Sequence, residues 1–170
     1  MTTSASTAPL GDRFNIAQHL LEANRQRPQK PAFVDDLGVL TYGELDDRVR
    51  RLASGLRTLG LRREERVLVL MHDGVDWPVA FLGAMYAGLV PVCVNTLLTA
   101  DDYAFMLENS RAQAVMVSGP LLPTLTAAMT RSDHEVSKVI VSHPVAPLHP
   151  AEVDMEVFLH LQHPLNKPAA

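Results

Sequence analysis

Four short apolar runs recur at one fixed interval along the chain, and this spacing limits the folds that are open to it. Each run is rich in valine, and the runs begin at Arg66, Val90, Ala114 and Lys138, 24 residues apart. Helical patterns fill the stretches between them, at 76–87, 99–109 and 121–129. Buried strands that alternate with helices predict an α/β fold, a parallel sheet flanked by helices with right-handed crossovers.

Helix and hairpin signals precede the first of these runs. Asn15 is suited to cap an amphipathic helix that reaches about Arg25. Residues 35–38 have the composition of a hairpin turn between two short strands. Thr41 and Glu44 have the spacing of a capping box at the start of a longer amphipathic helix. We therefore expect a hairpin and two helices to accompany the parallel sheet.

The two ends of the chain differ in composition from its middle. Residues 1–13 are rich in small and polar residues and are expected to be a flexible lead-in. The α/β subdomain is expected over residues 14–145. Pro recurs through residues 146–170, which we interpret as a linker or truncated end, with one short helix within 152–161.

Composition excludes several classes of protein. The net charge of −4 and the pI near 5.9 are not those of a nucleic-acid-binding surface. A single cysteine, Cys93, rules out an internal disulfide and fits a reducing compartment such as the cytoplasm. Because Val92 and Cys93 lie in the apolar run 90–94, both are expected to be buried, and the thiol inert.

One stretch calls for comparison with a membrane span. Residues 77–100 carry no charge and are long enough to cross a bilayer, which takes about 20 apolar residues. Pro91 would interrupt such a helix, and the stretch divides well into a helix and a following strand. We therefore expect no membrane partner.

Sequence motifs that bind phosphate or activate a nucleophile are absent. The chain contains no glycine-rich dinucleotide or P-loop signature and no nucleophile elbow. His160 and His163 have a spacing that metal ligands use, but Pro164 follows at once and no third ligand is fixed. The sequence therefore indicates no catalytic, cofactor-binding or metal-binding residue in this chain.

Polar residues follow three of the predicted strands. In a parallel α/β sheet, ligands bind beyond the carboxyl ends of the strands. The candidate pocket-rim residues are His72, Asp73, Asn95, Thr96 and Ser118. The simpler alternative is that they cap ordinary strand-to-helix loops.

An ordered series of segments resembles the start of adenylate-forming acyl-CoA synthetases. The segments are LTYGEL at 40–45, RVRRLASGLRTLGL at 48–61, ERVLVLMHD at 65–73 and PVAFLGAMYAGLVPVCVNTLL at 78–98. The last segment, with D-Y-x-x-M-L at 102–107 and V-S-G-x-L-L at 117–122, is most similar to the benzoate-CoA ligase branch. The resemblance covers about residues 14 to 145 and implies the N-terminal subdomain of the synthetase large domain, incomplete.

The resemblance also implies an activity for a longer protein. Members of the family use ATP and Mg²⁺ to convert a carboxylic acid to an acyl-adenylate, and then transfer the acyl group to CoA. Their phosphate loop, magnesium-associated residues and adenylation lysine lie beyond the region seen here, so this chain alone is expected to be inactive and without a cofactor. Residues 96–98 lack the basic residue by which some relatives approach CoA.

Partners follow from the same resemblance. The remainder of the ligase chain is the expected partner, and a surface uncovered by its absence would make the chain a homo-oligomer. The competing expectation is a monomer in which residues 151–170 fold back over that surface. A different class of function also stays open, a naturally short, non-catalytic α/β binding or interaction module.

Overall fold

The computed structural model describes residues 14–169, and the predicted lead-in at 1–13 lies outside the described residues. The helices are α1 (Ile16–Ala23), α2 (Tyr42–Thr58), α3 (Asp76–Ala87), α4 (Ala100–Ser110), α5 (Leu122–Arg131) and α6 (Met155–His160). The strands are β1 (Pro31–Asp35), β2 (Gly38–Thr41), β3 (Arg66–Leu70), β4 (Val90–Cys93), β5 (Ala114–Ser118), β6 (Lys138–Ser142) and β7 (Glu152–Asp154).

Five of these strands form one parallel sheet, in the order β4-β3-β5-β6-β7. Strands β3 to β6 begin at the four positions that the 24-residue spacing predicts. The predicted α/β fold and its parallel sheet are therefore confirmed. Strands β1 and β2 form a separate antiparallel hairpin.

Both faces of the sheet are covered by helices. Successive side chains of a strand point to opposite faces, so each central strand contributes to two cores. Val67 and Val69 of β3 belong to the core formed with α1, α2, α3 and α6. Leu68 and Leu70 belong to a second core, formed with α4 and α5. All four side chains are fully buried, which explains why the strand has no polar alternation.

Local signals set the starts of α1 and α2 as the sequence predicts, although α1 ends at Ala23 and not near Arg25. The Asn15 side chain accepts a hydrogen bond from the Gln18 N–H at 3.1 Å at the start of α1. At the start of α2, Thr41 Oγ1 accepts from the Glu44 N–H at 3.3 Å, and Glu44 Oε2 accepts from the Thr41 N–H at 2.8 Å. These two bonds complete the predicted capping box.

Helix α3 is apolar because it is enclosed by protein on nearly every side. Nine of its twelve residues are buried. Its approach to α2 is close, since a Cβ on Gly83 would lie 2.6 Å from Leu52 Cδ2. Among residues 14–169, no helix has the length and apolar character needed to cross a membrane.

Strand β4 lies at an edge of the sheet, and this corrects two sequence-based expectations. Val92 is only half-buried and Cys93 is exposed, because β3 is the one strand that pairs with β4. Partial desolvation nevertheless raises the pKa of the Cys93 thiol, so the unreactive thiol form is favoured at neutral pH.

Residues expected to be a linker contribute instead to the folded unit. Glu152–Asp154 pairs with β6, and α6 follows directly. The packing of α6 on α2 is tight, since a Cβ on Gly55 would lie 2.5 Å from the ring of Phe158. The predicted short helix within 152–161 is thus present.

Residues 161–169, which we call the C-terminal strap, lie across α2 and α3. The Leu165 N–H donates to the Arg50 carbonyl at 3.1 Å, and the Ala169 N–H donates to the Tyr86 carbonyl at 3.0 Å. Arg51 Nη1 donates to the carbonyl of Gln162 at 2.6 Å. The strap thus covers part of the face formed by α2 and α3.

Candidate functional site

A cleft of about 330 Å³ lies at the carboxyl ends of β3, β5 and β6. The strand order of the sheet determines its position. From β3 the chain passes through α3 to β4 on one side, and from β5 it passes through α5 to β6 on the other side. The helices α3 and α5 pack on opposite faces of the sheet. A parallel sheet opens a crevice at such a switch point, and we call this one the switch-point cleft.

Three of the five predicted rim residues meet in this cleft. His72, Asp73 and Ser118 line it. The His72 N–H donates to Ser118 Oγ at 3.0 Å, which ties the end of β3 to the end of β5. Ser118 is 8% exposed, so the hydroxyl lies at the base of the cleft and not on its outer rim.

The other two, Asn95 and Thr96, do not line the cleft. Asn95 Oδ1 accepts from the Leu97 N–H at 2.9 Å, and its carbonyl accepts from the Tyr103 hydroxyl at 2.7 Å. These contacts order the turn that leads into α4. Asn95 thus makes the contacts of an ordinary strand-to-helix loop.

A buried carboxylate that the motifs did not indicate, Asp76, lies beside the cleft. It is 5% exposed and stands at the first position of α3. Its Oδ1 lies 2.7 Å from Arg48 Nη2, and its Oδ2 accepts from the Ser142 hydroxyl at 2.6 Å. His143 Nε2 is 3.3 Å from the same oxygen. The sequence signal was present, a lone carboxylate at the start of an otherwise charge-free helix.

Arg48 extends this cluster to α6. Its guanidinium also pairs with Glu156. Burial acts to lower the pKa of Arg48, but the hydrogen bond to Glu156 and the charge of Asp76 outweigh it, so the pKa lies above the ordinary value. The arginine is therefore a fixed cation that joins α2, α3 and α6, and its partners are already within the protein.

The cleft does not have the hydrogen-bond donors and cationic side chains that a nucleoside triphosphate requires. Its lining includes the carboxylates Asp35, Asp36, Asp73 and Asp76, but no lysine or arginine. Phosphate sites need converging N–H groups or cationic side chains. Within residues 14–169, no group of three or more His, Cys, Asp or Glu side chains is placed to hold a metal ion. ATP and Mg²⁺ therefore do not fit this cleft.

Comparison with known proteins identifies the family. The AMP-binding enzyme family matches residues 20–168. The benzoate–CoA ligase of Thauera aromatica is 48% identical over 115 residues, 66% of this chain and 22% of that protein. The 4-hydroxybenzoate–CoA/benzoate–CoA ligase of Rhodopseudomonas palustris is 40% identical over 141 residues, 82% of this chain and 26% of that protein.

A solved structure agrees with both sequence relatives. The benzoate CoA ligase from Burkholderia xenovorans superposes with a TM-score of 0.83 at 48% identity, over 93% of this chain and 30% of that one. The chain spans less than a third of the length of each of these three proteins. The family match, the sequence identities and the shared fold together show that the chain belongs to the AMP-binding enzyme family and is similar to the N-terminal part of benzoate–CoA ligases.

Proposed function

We propose that this chain is the N-terminal α/β portion of an aryl-CoA ligase of the benzoate type. The longer protein would activate an aromatic carboxylate with ATP and Mg²⁺, transfer the acyl group to CoA, and serve in the degradation of aromatic acids in the cytoplasm. The supporting observation is the 48% identity both to a sequence relative and to a solved structure that are named for benzoate. Assay of the longer protein with benzoate against a long-chain fatty acid tests this, and a preference for the fatty acid would contradict it.

We propose that the 170-residue chain alone has no ligase activity. Adenylation places developing charge on the transferring phosphate, and that charge must be stabilised by preorganised donors. The switch-point cleft has carboxylates in their place. We expect no pyrophosphate release from ATP, Mg²⁺ and benzoate, with a full-length benzoate–CoA ligase as the positive control. Benzoate-dependent turnover by the pure chain would refute the proposal.

The second candidate is a naturally short, non-catalytic binding or interaction module. The observation that favours it is the C-terminal strap, which closes over α2 and α3 by backbone hydrogen bonds. The gene distinguishes the two. A reading frame that continues into a glycine-rich phosphate loop supports the ligase, and a stop codon directly after Ala170 supports the module.

We propose that the remainder of the ligase chain is the partner of this subdomain, and that the chain by itself forms a homo-oligomer. The C-terminal strap covers part of α2 and α3, so we place the self-association surface near β4 and α4, one of the regions where large apolar side chains are exposed. Here they are Val90, Leu97 and Phe105.

Sedimentation over a range of concentrations is expected to show a dimer that weakens when Leu97 and Phe105 are both replaced with Ser. The reason is that Leu97 is 89% exposed and Phe105 65% exposed, so covering them removes apolar surface from water. Val145→Ser is the matched control, since Val145 is also exposed but lies elsewhere in the chain. A single monomeric species into the high micromolar range would contradict self-association.

A further inference from the structure

Helix α3 begins without a capping side chain of its own, although it begins at the switch-point cleft. Its N-cap residue, Val75, makes no side-chain hydrogen bond. The acceptor comes instead from 40 residues earlier in the chain, since Asp35 Oδ2 accepts from the Val75 N–H at 2.8 Å. A helix start with an exposed N–H attracts an anion, and here that anion is a side chain of the protein itself.

The carboxylate of Asp35 is held by backbone groups on both oxygens. Its Oδ1 accepts from the Leu37 N–H at 2.8 Å and from the Gly38 N–H at 3.0 Å. The Val75 N–H is the main reason that the pKa of Asp35 is lowered from its ordinary value. The three donors surround this side chain as they would surround a bound oxyanion.

The fit between the hairpin and the cleft is close. A Cβ on Gly74 would lie 3.1 Å from Asp35 Oδ2, so a side chain there would press on the carboxylate. Among the described residues, the Val75–Asp35 hydrogen bond is the one that joins the β1–β2 hairpin to the segments of the parallel sheet. Apart from this bond, the hairpin is held by Leu40, which is buried in the core with α2, and by Ala32, which packs against that core, while Val34 and Leu37 are exposed.

The negative charge of the cleft, together with the Asp35–Val75 contact, opposes the binding of phosphate. Asp36, Asp73 and Asp76 line the same cleft as Asp35, and no cationic lysine or arginine does. An incoming phosphate would meet a helix start already filled by a carboxylate and surrounded by like charge, which opposes its binding.

We propose that Asp35 is an internal ligand of the α3 N-terminus, which latches the β1–β2 hairpin onto the switch-point cleft and closes that cleft to nucleotide phosphate. In many parallel α/β sheets this position binds phosphate. In this chain it serves to hold the hairpin.

Backbone amide exchange, followed residue by residue in the 170-residue chain, tests the latch. Asp35→Ala is expected to speed exchange of the hairpin amides at the Phe33–Leu40 pair by about tenfold, because the charged acceptor of the Val75 N–H is lost. Asp35→Asn keeps the shape and one carbonyl acceptor and is expected to give a smaller increase. Asp36→Ala is the matched control in the same turn and should leave exchange unchanged.

Titration of the wild-type chain tests closure of the cleft. Inorganic phosphate, or ATP with Mg²⁺, is added to about 10 mM, a concentration at which millimolar binding would be detected. The chemical shifts of the His72 and Val75 amides are expected to stay unchanged. Saturable shifts of those signals would overturn the proposal, as would hairpin exchange that is unchanged in Asp35→Ala. Neither readout depends on ligase activity, so failure here is separable from failure of the proposed function.

Discussion

Replacing Val115 with Asp is expected to leave the chain unfolded. Val115 is fully buried in β5, which pairs with β3 on one side and β6 on the other. Its side chain belongs to the core beneath α4 and α5. An unpaired carboxylate there costs several kcal/mol, against a typical total stability of about 5–15 kcal/mol. Circular dichroism during thermal or urea unfolding is expected to show no cooperative transition.

Val92→Asp is the matched control for this substitution. Val92 lies in a neighbouring apolar run but on the edge strand, where it is half-buried and its new carboxylate can reach water. We expect a smaller loss that leaves a folded chain, about 1 kcal/mol, as for an ordinary substitution. Equal effects of the two variants would contradict the assignment of β4 to the edge and β5 to the centre.

Replacing Gly119 with Ala is expected to destabilise the chain by about 3 kcal/mol, at the upper end of the usual cost of overpacking. A Cβ at this position would lie 2.1 Å from the carbonyl oxygen of His143 and 3.0 Å from Pro144 Cα. Both obstacles are backbone, so no side-chain rotation relieves the contact. The ends of β5 and β6 would have to separate, and Ser118 would move away from His72.

The urea midpoint measures the loss of stability. The chemical shift of the His72 amide measures the movement of Ser118 away from it. Pro120→Ala serves as the control because Pro120 is exposed and follows Gly119 directly. A Gly119→Ala chain with the wild-type midpoint would show that β5 and β6 do not approach each other as closely as described.

Features that depend on neighbours in sequence could be predicted from the sequence alone. The starts of β3 to β6 follow from the spacing of apolar runs, and the start of α2 follows from Thr41 and Glu44. The edge position of β4 could not be read from its apolar side chains, because edge and central strands of a covered sheet are both apolar.

Pro91 was the available signal for that edge. The N–H groups of Val90 and Val94 donate to Glu65 and Val69 carbonyls, so the intervening nitrogen of Pro91 faces the open side of β4. A proline is tolerated in a sheet where no strand needs its N–H. The same proline leaves the open edge with one donor fewer, which disfavours strand pairing there and directs self-association to side chains.

The candidate site was predicted only in part because it depends on contacts between distant residues. His72 and Ser118 meet because each follows a strand at the switch point, which the topology rule anticipates. Asp35 and Asp76 entered the site through tertiary contacts, with Val75 and with Arg48 respectively. Nothing in the sequence near either carboxylate specifies its partner.

The bond between the two ends of the described chain has a consequence for how the protein is made. The side-chain amide of Asn15 donates both to the Met85 carbonyl at 2.8 Å and to the Ala169 carbonyl at 3.1 Å. Synthesis runs from the N-terminus, so Asn15 is made some 150 residues before Ala169. At the usual rate of synthesis this separation takes about ten seconds or more. The face of α2 and α3 beneath the strap is complete only at Ala87, and it stays uncovered until residues 161–169 have also been made.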